Sequence, residues 1–315
     1  MLYVDQPKIY LIIKKVDDVM ANEYIIGVIL AILGGVVNSI GVIFQKKVVN
    51  EIPKENRDEK FIRTLFKSPL WVLGFIFVMA FSAVFFLSAQ VFIGGALVPG
   101  LAAMGMIVLV IGSVKIIGEH LKKSEIFGII LIIIGIFLIA LSELSISGEL
   151  NIFYDTNFTI RITVLTVILM ILWMSCRIAG KKFKRIIYLA FSAGLPFAIG
   201  NIWLQSFTIS MGIVFSGTAE LPEIIIFIIS TIIVVPTSFL GVFFVQEAFK
   251  YGEASKITPI QQIPIQIVPI FLYFVVYLKT PPSVVSVYFI TLGVGFIIAS
   301  GFLLAQKQAA LEAIE

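Results

Sequence analysis

The chain has 315 residues, 59% of them hydrophobic and only 13% charged, with a mean hydropathy of +1.08. A soluble domain carries roughly 25% charge, so this composition excludes one. The net charge of +4, with no basic stripe interleaved with aromatics, argues against a nucleic-acid partner. Cys176 and His120 are the only residues of their kinds, which excludes an internal disulfide and a His- or Cys-type metal cluster.

The first residues, 1–23, mix Lys8, Lys14, Lys15, Asp5, Asp17 and Asp18 with the short run Ile9 to Ile13. That run is too short to span a bilayer, so a tail or an interfacial segment is expected. Nine apolar stretches of about twenty residues follow, each long enough to cross the hydrocarbon as a helix. Lipid offers the backbone no hydrogen-bond partners, so these stretches must be helical. The predicted spans are 24–44, 70–90, 92–113, 126–144, 160–178, 186–208, 224–248, 257–278 and 284–306. The first is expected to stop at Gln45-Lys46-Lys47, ahead of a polar segment from Val48 to Ser68. The fifth ends at Arg177, and the basic run Lys181 to Arg185 leads into the sixth. A short polar tail, 307–315, closes the chain.

Eighteen of the 23 Lys and Arg residues fall in connectors on one side of this layout. Positive charge favours the cytoplasm, so the N-terminus is expected outside and the C-terminus inside, in the plasma membrane. A missed or invented helix would have scrambled that bias.

The two halves echo each other. Gly95-Ala96-Leu97-Val98-Pro99 in the third span lines up with Ser255-Lys256-Ile257-Thr258-Pro259 at the start of the eighth. Gly41 to Gln45 lines up with Gly200 to Gln205 with one extra residue. The pattern predicts an all-α polytopic membrane protein: a four-helix repeat over 24–144, a spacer helix at 160–178 and a second repeat over 186–306. A repeat offset by five helices enters the membrane from the opposite side, as in secondary transporters, whose substrate site lies near the midplane between the repeats.

Polar side chains inside lipid usually face a bundle interior or a cavity. Asn38 and Gln45 are seven residues apart and share a face of the first helix. Asn201 and Gln205 share one on the sixth, and Thr258, Gln262 and Gln266 one on the eighth, with Gln261 beside them. These residues are the candidate substrate-binding set; interhelical hydrogen bonding is the alternative for each. Pro99, Pro259, Pro264 and Pro269 are candidate hinges or gates, or fixed kinks, because a helical proline frees a carbonyl. The small residues Gly94, Gly95, Ala96, Gly100, Ala102, Ala103 and Gly105 either let helices approach closely or leave room for a solute. Glu119 and Glu247, near span ends, are the carboxylates available to an ion. Glu119 and His120 read most simply as solvated connector residues. A mid-membrane acid, base or metal site is lacking, so no enzyme and no cofactor is expected.

The stretch from Trp71 to Leu141 resembles the drug/metabolite transporter superfamily (EamA-like). It holds Leu87-Ser88-Ala89-Gln90, Ala96-Leu97-Val98-Pro99, Gly118-Glu119, and Gly128 with Gly135. The second half repeats the pattern with Glu247-Ala248-Phe249-Lys250-Tyr251 and Thr258-Pro259, and has Lys279 where the first has Glu119. Within the superfamily the chain is most similar to NIPA-type magnesium transporters, in nine helices, the pair Lys46-Lys47 and Thr258-Pro259, over about residues 24–306. The resemblance implies transport of a small solute, Mg²⁺ or another divalent cation among them. Small multidrug-resistance relatives couple to protons through a glutamate in the first helix, where this chain has Asn38. The expected partners are the lipid bilayer and a small solute or cation, with a homodimer left open. Efflux or exchange of an organic metabolite or drug, and a non-transporting scaffold or sensor, stay open as alternatives.

Overall fold

The computed structural model describes residues 6–53, 61–93, 97–142, 144, 150–182 and 186–312, with side chains from residue 23 to residue 304 apart from 150 and 151. Among the described residues nine helices are long and apolar enough to cross a membrane, as expected. They are α1 (Gln6–Glu51), α2 (Pro69–Ile93), α3 (Val98–Ile117), α4 (Lys123–Leu141), α5 (Thr156–Lys182), α6 (Ile186–Phe215), α7 (Leu221–Phe249), α8 (Ala254–Val276) and α9 (Val284–Glu312). Residues 6–22 are helical and run unbroken into the first span. Gly94, Gly95, Ala96 and the run Phe183-Lys184-Arg185 lie outside the described residues.

Three boundaries differ from the sequence reading for physical reasons. Helix α1 does not stop at Gln45; it continues through Lys46, Val48 and Val49, all buried, to Glu51. Within the polar segment, residues Phe61–Leu65 form a short helix whose Phe61 and Leu65 join the core. Helix α8 begins at Ala254, so Pro259 lies inside it rather than opening it. Pro99, by contrast, does sit in the first turn of its helix, where its missing N–H costs nothing.

Close helix crossings use glycine, as expected where lipid removes any hydrophobic drive between helices. A Cβ built on Gly35 of α1 would lie 2.1 Å from the Ala102 carbonyl oxygen of α3. One on Gly194 of α6 would lie 2.1 Å from the Gln261 carbonyl oxygen of α8. The two crossings are the same distance apart in sequence, 159 residues on each helix. Ala102 and Gly105 of α3 therefore serve close approach at this crossing, while Gly100 faces Ala140 of α4. Helices α4 and α9 pack at Gly135 and Gly293, each facing the other's carbonyl oxygen at 2.8 Å from a built Cβ. Gly128 faces Leu303 and Leu304, so the register runs down α9 as it runs up α4, and the pair is antiparallel.

The ends of α3 and α8 also match. Each finishes in a π turn, Ser113–Ile117 and Leu272–Val276. Each then reverses at a residue with positive φ, Gly118 (80°) and Leu278 (51°). The next amide closes a six-residue bond, Glu119 N–H to the Ser113 carbonyl at 3.0 Å and Lys279 N–H to the Tyr273 carbonyl at 3.2 Å. Each bond runs from residue i to i−6, one position longer than the capping bond of a Schellman motif, as a preceding π turn requires.

Apolar packing is uneven along the bundle. At the Lys46 end one core cluster joins both halves, including Val49, Phe61, Trp71 and Leu109 with Val245, Phe249, Ala254 and Ile257. A smaller cluster (Ala103, Met106, Ile132, Ile136 with Ile297) also joins the halves further along, through α3, α4 and α9, whereas a first-half cluster (Ala31, Ala89, Val98) is separate from one built of α5 to α8 (Phe158, Ile162, Leu195, Val276). The spacer α5 lies against the second half. Arg161 Nε donates to the Val276 carbonyl at 2.9 Å, and Arg177 pairs with Glu247 of α7 at 2.7 Å.

Candidate functional site

Mid-bundle, a cavity of about 320 Å³ opens between α1 and α2 on one side and α6, α7 and α8 on the other. Its polar walls are Asn38, Gln45, Ser82, Asn201, Gln246, Thr258, Gln261 and Gln262; Phe86, Phe197 and Met79 are among the apolar ones. The structure thus brings together Asn38, Gln45, Asn201, Thr258 and Gln262 from three helices. Gln205 and Gln266 are not among the lining residues. Gln266 sits one turn beyond and donates from Nε2 to Gln262 Oε1 at 3.4 Å; Gln205 is half-buried with a hydrogen-bonding partner of its own. None of the lining residues is charged.

The cavity wall is held by a directional hydrogen-bond chain. Trp71, fully buried in α2, donates from Nε1 to Gln246 Oε1 at 3.1 Å. Gln246 Nε2 then donates to Gln45 Oε1 at 2.7 Å. An indole has a hydrogen to give and no lone pair to accept with. That settles which way both amides point, an assignment geometry alone leaves open. The chain ends in the Gln45 Nε2 hydrogens, buried and without a protein partner, as is the Thr258 hydroxyl.

Beneath this layer lie the charged groups, all at helix ends. Lys46 is 4% exposed. Its ammonium donates to the Phe249 carbonyl at 2.7 Å and the Gly252 carbonyl at 2.6 Å, neutralising the carbonyl end of α7. Glu119 is 5% exposed. Its carboxylate accepts from the Ala254 and Ser255 amides at 2.7 and 3.1 Å and from the Ser255 hydroxyl at 2.5 Å. The residue before α8, Glu253, makes no side-chain cap of its own, so Glu119, just past the reversal that ends α3, supplies it. Glu119 is therefore not a solvated connector residue: the amides of a helix start draw the carboxylate inward. His120 beside it is exposed. Glu125 divides its oxygens, accepting from the Lys122 amide at 2.8 Å and pairing with Lys256 at 3.2 Å. Lys256 also pairs with Glu253 at 2.5 Å. Glu247 is held by Arg177 at 2.7 Å and Lys181 at 3.3 Å.

Among the prolines, Pro264 packs at the α6 crossing, 2.7 Å from a Cβ built on Gly194; Pro259 and Pro269 lie along the same continuous helix. Sequence reasoning passed over Gln246 and Trp71. Gln246 neighbours Glu247 near a helix end and reads as part of a polar boundary. Only the fold reveals that it is fully buried and joins two helices 201 residues from Gln45.

Nine apolar helices among the described residues, five of them lining an uncharged polar cavity, define a polytopic membrane protein. Residues 22–310 match the family model described as Magnesium transporter NIPA. The chain belongs to that family of membrane transporters. Neither a curated protein nor a solved structure matches it.

Proposed function

We propose that the protein moves a hydrated divalent cation, Mg²⁺ first among them, through the mid-bundle cavity by alternating access between two inverted four-helix repeats. The observation that carries this reading is a cavity of neutral amides and hydroxyls, without a carboxylate, in a chain of the magnesium transporter family. Mg²⁺ prefers near-octahedral oxygen and gives up its waters reluctantly. Six waters at about 30 Å³ each take roughly 180 Å³, which fits within about 320 Å³. Amide and hydroxyl oxygens can accept hydrogen bonds from that shell without stripping it. Uncharged walls hold such an ion weakly, which suits release.

The repeat is supported by the paired crossings at Gly35 and Gly194, the paired π turns and the paired reversals at Gly118 and Leu278. Asn38, Gln45, Asn201, Thr258 and Gln262 are the proposed solute-contacting residues, with Gln246 and Gln261 added and Gln205 and Gln266 at the margin. Pro259, Pro264 and Pro269 let α8 flex, and Pro99 presets α3. Glu119 and Glu247 serve helix ends and not the ion. The lysine-rich side faces the cytoplasm of the plasma membrane, with the N-terminus outside.

Purified protein in liposomes containing a Mg²⁺-sensitive dye tests the reading. Mg²⁺ influx that falls at least about tenfold in Asn38→Leu supports it. Phe86, Phe197 and Met79 favour the second reading, an organic solute; uptake of metabolites without Mg²⁺ flux would establish that one. Absence of any flux would favour a scaffold or sensor.

A further inference from the structure

Three charged contacts beneath the cavity share one target. Lys46 from α1 caps the C-terminus of α7; Glu119, just past the end of α3, caps the N-terminus of α8; Glu125 from α4 holds Lys256 in the first turn of α8. Together they grip the turn between α7 and α8, residues 249–256. Each gripping side chain comes from the first half, and each gripped group belongs to the second. The charges are matched to the helix ends: a cation meets free carbonyls and an anion meets free amides. The largest shared apolar cluster lies at this same end; a smaller one around Ile132, Ile136 and Ile297 joins α3 and α4 to α9 further along, and the Ala31 and Phe158 clusters stay within separate halves.

The spacing of the repeat supplies the counterparts of these residues, 159 or 160 positions away. Lys46 corresponds to Gln205, Glu119 to Lys279, Glu125 to Val285 and Lys256 to Ala96. None of the four counterparts can perform the same task. Gln205 and Ala96 carry no charge, Val285 has no polar atom, and Lys279 has the wrong sign to cap a helix start. The ends of α3 and α8 are alike in their π turns and in the reversals at Gly118 and Leu278, but the charged residues of the clamp stand at only one set of these positions.

We infer that residues 249–256 form a one-sided gate, latched by Lys46, Glu119 and the Glu125–Lys256 pair, and that this structure is its closed state. The inference rests on the alternating-access reading above. An inverted repeat by itself makes the two facing states equivalent in energy; an ionic clamp at one end lifts that equivalence. The resting population then favours the state closed at the Lys46 end and open at the other. Solute entering from the other end must offset the clamp before the cavity opens inward. Lys46, Glu119 and Glu125 act here as positioning residues, since none of them lines the cavity.

Side-specific labelling tests this. A reporter, Ala83→Cys, lines the cavity without being a proposed ligand, in a Cys176→Ala background of the full chain. Membrane-impermeant maleimide is applied from each side of oriented vesicles. The reporter should react from the N-terminal side of α1 and little from the Lys46 side. Lys46→Met and Glu119→Gln should each raise reactivity from the Lys46 side by about tenfold, the worth of one charged hydrogen bond. Glu119→Asp should restore the parent pattern. Exchange of the Ala254 and Ser255 amides should quicken in Glu119→Gln. If a clamp variant fails to fold, Lys279→Glu leaves the clamp intact and adds a carboxylate at the opposite end. It should lower reactivity from that end by about tenfold. Unchanged sidedness in Lys46→Met and Glu119→Gln, or in Lys279→Glu where they do not fold, overturns the latch while the cavity reading stands. A reporter unreactive from both sides overturns the cavity reading and the latch with it.

Discussion

Trp71 has one hydrogen to give and no acceptor, and that sets the direction of the amide chain behind the cavity. Gln246 must turn its oxygen to the indole and Gln45 must turn its oxygen to Gln246. Replacing Trp71 by Phe keeps the ring and removes the donor. Gln246 Oε1 is then left buried and unpaired, at a cost of about 1–3 kcal/mol. We expect a lower melting temperature in detergent and a changed solute preference, because both amides become free to reverse. Gln246→Leu should destabilise by a similar amount, since Trp71 loses its acceptor. A variant melting as the parent does would show that the chain carries no weight. Lys46 and Lys47 make the same point about neighbours. One is buried against helix-end carbonyls and the other is exposed, a difference that two adjacent lysines in a sequence do not announce.

At the scale of helices, glycine and its absence make testable differences. Gly118 and Leu278 occupy equivalent reversals, but a left-handed conformation costs an L residue about 1–2 kcal/mol. Leu278 is 63% exposed, so its side chain contributes little packing. Leu278→Gly should therefore stabilise the protein by up to about 1 kcal/mol, and Gly118→Leu should destabilise it by a similar amount. Thermal melts of the two variants would check both signs. In the α4–α9 pair, a Cβ on Gly135 would press on the Gly293 carbonyl at 2.8 Å, whereas one on Gly128 meets flexible leucine atoms at 3.3 Å or more. Gly135→Ala should cost about 1–3 kcal/mol as overpacking, and Gly128→Ala well under that. Equal melting temperatures for the two would contradict the close crossing.

Over the whole molecule, the membrane class and the number of spans were legible because length and hydropathy are one-dimensional properties. A helix must carry about 20 apolar residues to cross lipid whatever it packs against. The family resemblance was legible too, resting on residues that the family match now covers. Five of the seven candidate polar residues line one cavity, because helical periodicity places Asn38 with Gln45, and Thr258 with Gln262, on single faces. Periodicity could not say where a face stops meeting its neighbour, so Gln205 and Gln266 were grouped with the cavity residues although neither is among its lining residues. The topology itself makes a whole-molecule prediction. With nine spans the two termini lie on opposite sides, and epitope tags should be accessible from outside at the N-terminus and from the cytoplasm at the C-terminus. Protease protection of tagged protein in intact cells checks this.

The sequence by itself determined that this protein lives in a membrane, as nine helices with a lysine-rich side, because the bilayer imposes length, apolarity and charge bias segment by segment. Only the tertiary structure decided what the charged residues at helix ends do. A carboxylate such as Glu119 looks solvated beside His120, yet it finds the free amides of a helix 135 residues away. Which helix end comes within reach of which charge depends on how the rods pack, and no local pattern encodes that distance.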